Sequence, residues 1–523
     1  MTHADQFGDA RELDGGRVID TDVCVVGAGA AGIVLSVRLA ETGHDTLLLE
    51  AGDLVPEPWT TELFDATNVG MPYHHVSECR SHRFGGTTWE YGGFCRPVTD
   101  RDFAPVPGQP LASWPITHDD IAPWIDEAIA LLGFTRADFS VERRLAGVGL
   151  PPAPIRAELA GTDLFAILPV GKRSFPDILG RRLADAGRLK VLLNAVATKI
   201  RLDPGGDHVG GLDVGTASGR PFTVRARRYV LACGAVENAR LLLDSDDVSA
   251  GGIGNRSGLL GRCLADHPHL ESGRVRFDGN VPRHLVMPAV APSGFTTCLT
   301  APRAITDQAG CFQYFCRLIP LEATTTGGRA ISQLASRDGR RSARTVAGAA
   351  ARAAGDPLNA ARSLVHHLGA GREFVLNHRI EQAPNRSSRV VLVDDRDRLG
   401  RRRAAIDWRL DDVDARTLEV GQHQALRYLE AVGATRIRAE PTSLEVLSER
   451  GSTYWHHMGT TRMSTSPRDG VTDGDCRVHG VDNLFVAGAS VFCRGTFSPP
   501  TMTITAFALR LAEHLQRAPQ SRP

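Results

Sequence analysis

Three glycines carry the first legible chemistry of the chain. Gly27-x-Gly29-x-x-Gly32 directly follows the apolar run Asp22-Val23-Cys24-Val25-Val26 and opens a segment of helical apolar periodicity reaching about Thr42. In a strand, glycine turn and helix of this kind, Gly27 permits the tight turn and Gly29 lets the backbone approach a pyrophosphate. Gly32 lets helix and strand pack closely, and the helix N-terminus at Ala30 and Ala31 faces the negative charge. A second strand, Thr46-Leu47-Leu48-Leu49, ends in Glu50 and Ala51, where the carboxylate is placed to accept hydrogen bonds from the hydroxyls of an adenosine ribose. These spacings predict a dinucleotide site, and the motif alone leaves NAD and FAD both open.

The elements that must hold such a site belong to a chain of 523 residues, more than one hydrophobic core usually organises, so two interleaved domains are expected. Lys plus Arg equals Asp plus Glu at 60 each, which leaves no global field to attract nucleic acid or an acidic membrane and points to a small-molecule partner. Ten cysteines without a C-x-x-C pair read as reduced thiols, and no metal site is expected. The polar, acidic first twenty residues lack the basic and apolar regions of a secretory signal, so a cytoplasmic location is expected. The uncharged run 23–37 is too short to span a bilayer, so no membrane insertion is expected.

Further segments carry a family resemblance. Arg83-Phe84-Gly85-Gly86-Thr87-Thr88-Trp89-Glu90-Tyr91-Gly92-Gly93, ending in Arg96-Pro97, resembles the flavin-contacting loop of glucose-methanol-choline (GMC) oxidoreductases. In the same family order come Ser113-Trp114-Pro115-Ile116, Tyr229 to Ala235, Asp266-His267-Pro268 and Glu381-Gln382-Ala383-Pro384-Asn385. The closing signature is His456-His457-Met458-Gly459-Thr460-Thr461-Arg462-Met463, then Asp482 to Ser490 and Pro499-Pro500-Thr501-Met502-Thr503. The resemblance implies FAD as cofactor. It places Arg83, Gly85, Gly86, Thr87, Thr88, Val196, Cys233, Gly234, Gly488, Ala489, Pro500, Thr501 and Met502 near it, with Cys233 packed beside FAD rather than reactive.

By the same resemblance the fold is α/β: a Rossmann-like FAD-binding domain with a second α+β substrate domain built on an antiparallel sheet. The first is expected from residues 18–130, 180–272 and 447–523, the second from 131–179 and 273–446. Within the latter, 390–393 and 405–410 read as strands around a charged turn at 394–403, and 417–432 as a long amphipathic helix. The basic stretch 337–352 reads as a solvated lid or cap, and 503–516 as a capping helix.

The implied activity is oxidation of an alcohol group on a sugar, glycoside or amino-alcohol-like molecule, with hydride passing to flavin N5 and then to O2 or another carrier. His456, three residues before Gly459, takes the position of the family's active-site base. His457 reads as its structural neighbour and His267 as a packing or capping residue. Two departures stand out. Pro499 occupies the place of a second active-site His or Asn, and Glu90 that of the histidine which tethers FAD in some relatives, so noncovalent FAD is expected. Glu90 is a candidate anchor for a substrate ammonium or hydroxyl, with Arg494 and Ser498 as further polar candidates, or else a surface ion-pair residue. The missing second residue also keeps open a repurposed flavoenzyme with atypical or non-redox chemistry, or a non-catalytic flavin-binding protein.

Overall fold

In the computed structural model, which describes residues 6–153, 158–169, 171–279, 281–286, 294–321, 325–335, 343–367 and 372–517, strand Val18–Val26 lies at the centre of an eight-stranded sheet. It pairs in parallel with Thr46–Leu49 on one side and with Phe222–Leu231 on the other. Leu189–Leu193 and Phe7–Asp9 extend the parallel run. Beyond Phe222–Leu231 the sheet turns antiparallel through Val209–Gly215 and Val196–Leu202, while Leu484–Val486 adds a parallel strand late in the chain. Strands covered on both faces bury every side chain, which is why they read as Val and Leu runs rather than as alternation.

Helix Ala30–Glu41 packs against this sheet and against the C-terminal helix Thr501–Arg517. The close approach depends on Gly32, where an added Cβ would stand 1.8 Å from the Gly27 carbonyl oxygen.

The second sheet has seven strands, all antiparallel: Arg436–Arg438, His269–Arg276, Glu373–Ile380, Tyr314–Pro320, Phe295–Thr300, Gly161–Ile167 and Phe94–Cys95, in that spatial order. Its side chains divide between two faces. Tyr314, Cys316, Leu318, Phe374, Leu376 and Ile380 join one core with Leu418, Ala425 and Tyr428 of helix Asp412–Ala431. Phe165, Cys298 and Phe315 on the opposite face gather instead around Phe497 of the C-terminal segment. The expected α/β architecture with an antiparallel partner sheet is therefore the observed one.

Local boundaries differ from expectation for identifiable reasons. Phe94–Cys95 falls inside the segment 18–130 but pairs with Ile167 and Ala166 of the second sheet, and strand His269–Arg276 begins before residue 273. The long helix begins at Asp412 because Asp411 and Asp414 form a capping box ahead of the apolar periodicity. Strands Arg389–Arg396 and Arg402–Asp407 absorb most of the charged stretch, leaving 397–401 as the turn. Of the basic stretch, residues 336–342 lie outside the described residues, and Ala343–Gly355 is a helix packed against Thr326–Ala335 and Pro357–His367.

Candidate cofactor and active site

A cavity of about 1500 Å³, counting its open mouth, lies outside the carboxyl ends of the parallel strands, where open α/β sheets bind ligands. Its walls include Gly27, Gly29, Ala30, Ala31, Glu50, Ala51, Gly86, Thr87, Thr88, Val196, Cys233, Gly234, Gly488, Ala489, Pro500 and Thr501. An added Cβ at Gly29 meets no protein atom within 4 Å, so the backbone there faces open space, as the approach of a pyrophosphate requires. Glu50 is buried, and its two carboxylate oxygens accept the Ala28 and Gly52 N–H groups at 2.9 and 3.0 Å. Those bonds fix the carboxylate on the cavity wall and leave further lone pairs for a ribose. Burial raises its pKa against the backbone bonds that favour the charge. Cys233 also lines the cavity with its thiol on the Val26 carbonyl, and burial pushes that thiol far up, so it packs as a neutral group. These residues fit FAD.

Several expected residues stand elsewhere. Gly32 lies under the cavity floor in the packing role already described. Gly85 has φ +96° and starts the turn that presents Gly86 to Thr88, and its own Cβ position is filled by Trp89 and Pro176. Arg83 stacks its guanidinium 4.3 Å from the Trp89 ring centroid, and Met502 is buried in the core. The three polar candidates are corrected too. Glu90 is exposed at the end of that turn and off the cavity wall, so it is not a substrate anchor. Arg494 is held by Glu381 in a bidentate pair at 2.6 Å, and Ser498 accepts from Arg96 at 2.7 Å, so both serve buried structural networks.

The cavity also has walls that the sequence did not reveal. Arg80, His82, Glu237 and Arg401 line it, with Arg80 on Glu237 at 3.1 Å and Arg401 on Asp397 at 2.8 Å. Of these, Glu237, an acid in the first turn of helix Gly234–Asp244 directly after the Gly234 turn, is the one with a local sequence signal.

The active-site side is built on Asp266. This fully buried carboxylate accepts the His267 N–H at 2.6 Å and the His456 N–H at 2.9 Å through one oxygen and the Tyr73 hydroxyl through the other. Burial opposes its charge, but His457, His456 and these donors hold its pKa below the usual range. The two imidazoles then meet, His267 Nδ1 to His456 Nδ1 at 2.7 Å, and His267 Nε2 lies 2.7 Å from the Thr496 carbonyl oxygen. His267 is therefore part of the site, contrary to its reading as a capping residue.

The proton positions follow from these partners. A carbonyl only accepts, so His267 Nε2 donates to Thr496, and the Nδ1 of neutral His267 accepts from the N–H at His456 Nδ1. His456 is left with a lone pair on Nε2. Neutrality is secured by burial, which pushes His456 down to about 3 with His267 reinforcing it, and lowers His267 as well. His457 lines the same cavity, and among the described residues its buried Nε2 has no hydrogen-bond partner.

A doubly wound sheet with a dinucleotide cradle, joined to an antiparallel sheet beside a neutral histidine, defines a flavoprotein oxidoreductase. The sequence profile of the GMC oxidoreductases matches residues 384–508. The chain is 28% identical to paromamine 6'-oxidase of Streptomyces fradiae over 94% of its own length and 90% of that protein, and 27% identical to 6'''-hydroxyparomomycin C oxidase of Streptomyces lividus over 94% and 92%. Its fold matches pyridoxine 4-oxidase from Mesorbium loti with a TM-score of 0.56 at 19% identity, covering 94% of this chain and 99% of that one. The C-terminal part of the chain thus carries a GMC oxidoreductase domain, and the protein is an FAD-dependent oxidoreductase acting on CH–OH donors. Among the described residues no helix is long and apolar enough to cross a membrane, and no group of three or more His, Cys, Asp or Glu is arranged to hold a metal.

Two outcomes follow from this geometry. Gly29→Val yields folded protein that fails to retain FAD, whereas Gly32→Val loses the fold, because its side chain meets backbone rather than open space. Soluble yield, circular dichroism and flavin absorbance of the two purified variants distinguish these cases. The second outcome concerns acid. Burial lowers His82, His269 and His456 to about 3 and His284, His378 and His457 to about 4. The unfolded chain, with histidines near about 6.5, binds protons that the native state refuses, so stability falls as pH drops from about 6.5 toward 4. Thermal melts across that range should show a steadily falling Tm, and a flat Tm would contradict the buried neutral histidines.

Proposed function

We propose that the enzyme oxidises a CH–OH group of a sugar, glycoside or related small polyol, with His456 as the base that takes the hydroxyl proton. The supporting observation is the His456 Nε2 lone pair, left free by the series Thr496, His267 and His456 beside the cavity. Bound in that cavity, FAD supplies at N5 the acceptor for the hydride leaving the carbinol carbon, and O2 or another carrier later removes the electrons.

His456 holds its ring by two bonds, one from its backbone N–H to Asp266 and one from Nδ1–H to His267, which leaves Nε2 to receive the substrate hydroxyl. The Asp266 carboxylate then stabilises the imidazolium, the protonated form that neighbouring His267 opposes. With Pro499 offering no side-chain donor, the unpartnered Nε2 of His457 is the second polar group for the substrate oxygen. The sugar-directed names of the two Streptomyces relatives support this substrate class. The exposure of Glu90 argues against an ammonium anchored there.

His456→Ala should keep its FAD and lose a factor on the order of 10² to 10⁴ in the anaerobic rate of flavin reduction. In the wild type the depressed His456 pKa moves the acid limb of that rate below pH 5, because the base stays neutral there. Stopped-flow reduction across pH 4.5 to 8 reads both effects, and an unchanged rate in His456→Ala removes the assignment.

We further propose that FAD is held without a covalent bond, since Glu90 stands where tethered relatives carry histidine. Acid precipitation should leave the yellow flavin in the supernatant; flavin in the pellet excludes this. We also propose the expected discontinuous division between an FAD-binding and a substrate domain, with Phe94–Cys95 assigned to the latter.

A further inference from the structure

The face of the second sheet that looks toward the C-terminal segment carries two arginines that the network around the active site does not neutralise. Arg317 pairs across the strands with Asn377, and Arg379 pairs with Phe315 on one neighbour and His269 on the other, so both side chains leave the same face. Diagonal neighbours on a sheet are within reach of one another when the side chains are long.

The surroundings of Arg379 are aromatic. Its guanidinium lies 3.4 Å from the centroid of Tyr454 and 5.2 Å from that of Phe315. Its Nε donates to Asn377 Oδ1 at 3.3 Å, and the Tyr454 hydroxyl is its other side-chain partner, so neither partner brings a carboxylate. Tyr454 in turn stacks toward His456 with ring centroids 6.3 Å apart and contacts His269, whose Nδ1 is buried without a hydrogen-bond partner. Arg317 lies over Phe94, which follows the flavin-loop turn, at 5.8 Å. Among the described residues neither arginine has a carboxylate within 4 Å. The acids around them are otherwise committed or exposed: Asp163 is bonded to Arg96 at 2.7 Å, Glu381 to Arg494 at 2.6 Å and Asp266 to the His267 and His456 backbone, and Glu271 on the outer strand is exposed to solvent.

Two half-buried guanidinium groups facing each other across a sheet without a counter-ion are costly to fold unless something supplies the missing charge. Burial, with Arg317 and the other cations against it, brings the Arg379 guanidinium down to about 9, while every other buried arginine of this sheet face or its neighbours, Arg96 and Arg494, has its acid in place. A planar guanidinium pair beside aromatic rings matches a carboxylate or phosphate through paired N–H donors.

We propose that Arg317 and Arg379 form an oxyanion-binding subsite, one aromatic ring away from His456, that recognises an acidic group on the alcohol substrate. The substrate class is therefore a hydroxylated acid, such as a sugar acid or sugar phosphate. This deepens, and rests on, the reading of His456 as the base of alcohol oxidation, since Tyr454 is the one ring between Arg379 and His456.

The test separates binding from oxidation in the FAD-loaded enzyme. Gluconate, citrate and inorganic phosphate are titrated by calorimetry into wild type, Arg379→Met, Arg317→Met and Arg379→Lys, and glucose is compared with glucuronate and glucose 6-phosphate in anaerobic flavin reduction. The expected result is saturable binding of at least one oxyanion class that either Met variant weakens on the order of 10²-fold and Arg379→Lys weakens less. In reduction, the ratio of kcat/KM for the acid over glucose should fall by a similar factor in the Met variants. Carboxylate against phosphate in the two assays decides which oxyanion the subsite takes. Oxyanion binding that depends on the arginines, without flavin reduction by any acid, supports the subsite and overturns the oxidation reading. Reduction by glucose at least as fast as by its acids, with ratios unchanged in both Met variants, overturns the subsite and leaves the oxidation reading intact. If Arg379→Met fails to fold, Arg317→Met carries the same comparison.

Discussion

A buried carboxylate, Asp266, ties the two halves of the active site together. One of its oxygens accepts the backbone N–H of both His267 and His456, residues 189 positions apart, and the flanking backbone continues the seam: Ala265 and Met458 exchange both N–H···O bonds at 3.0 Å, as do His269 and Ser452 at 2.9 and 3.0 Å. A charged acceptor at the centre of such a seam has no water to fall back on, so its donors must stay in place. The imidazoles they carry are thereby brought to 2.7 Å. Removing the carboxylate would free both backbones at once.

The seam also explains why Gly459 follows the histidine pair. Gly459 has φ +85°, and an added Cβ would stand 2.4 Å from the Cys263 carbonyl oxygen, so only glycine lets the C-terminal segment lie against the stretch that leads into Asp266. Beyond it, Gly459 N–H donates to Ala489 and Thr461 N–H to Ser490, which carries the segment back to the cofactor domain. The closing signature is thus a structural stitch that delivers two side chains, His456 and His457, to the cavity. Thr460 takes part in the stitching by donating to the Ala235 carbonyl.

Charge in this protein is concentrated inside rather than displayed. The equal numbers of acids and bases conceal buried networks, such as Arg240 and Arg401 on Asp397 and Arg494 on Glu381, each closed by an opposite charge and further hydrogen bonds. Breaking either partner of such a pair leaves an uncompensated buried charge, which is worse than having no pair. Against that background, arginines that stack on aromatic rings without an acid partner mark a surface prepared for something other than the fold itself.

The sequence by itself determined the dinucleotide cradle, because its chemistry is local: the spacing of Gly27, Gly29 and Gly32 and the acid after the next strand act within one strand, turn and helix, and short-range geometry admits few alternatives. The family order of the later blocks likewise made the cofactor legible and pointed to His456 as the candidate base. What the sequence did not determine depends on residues hundreds of positions apart. His267 read as a turn residue until the seam set its ring against His456, and Glu90, Arg494 and Ser498 read as polar candidates until packing turned the first to solvent and gave the other two buried partners. Which face of a strand looks at a cavity is decided by the register of the whole sheet, since a shift of one residue sends every side chain to the other side. For that reason the tertiary structure alone showed Arg317 and Arg379 facing the active-site side of their sheet, with the alternate residues of the same strands buried in its hydrophobic core.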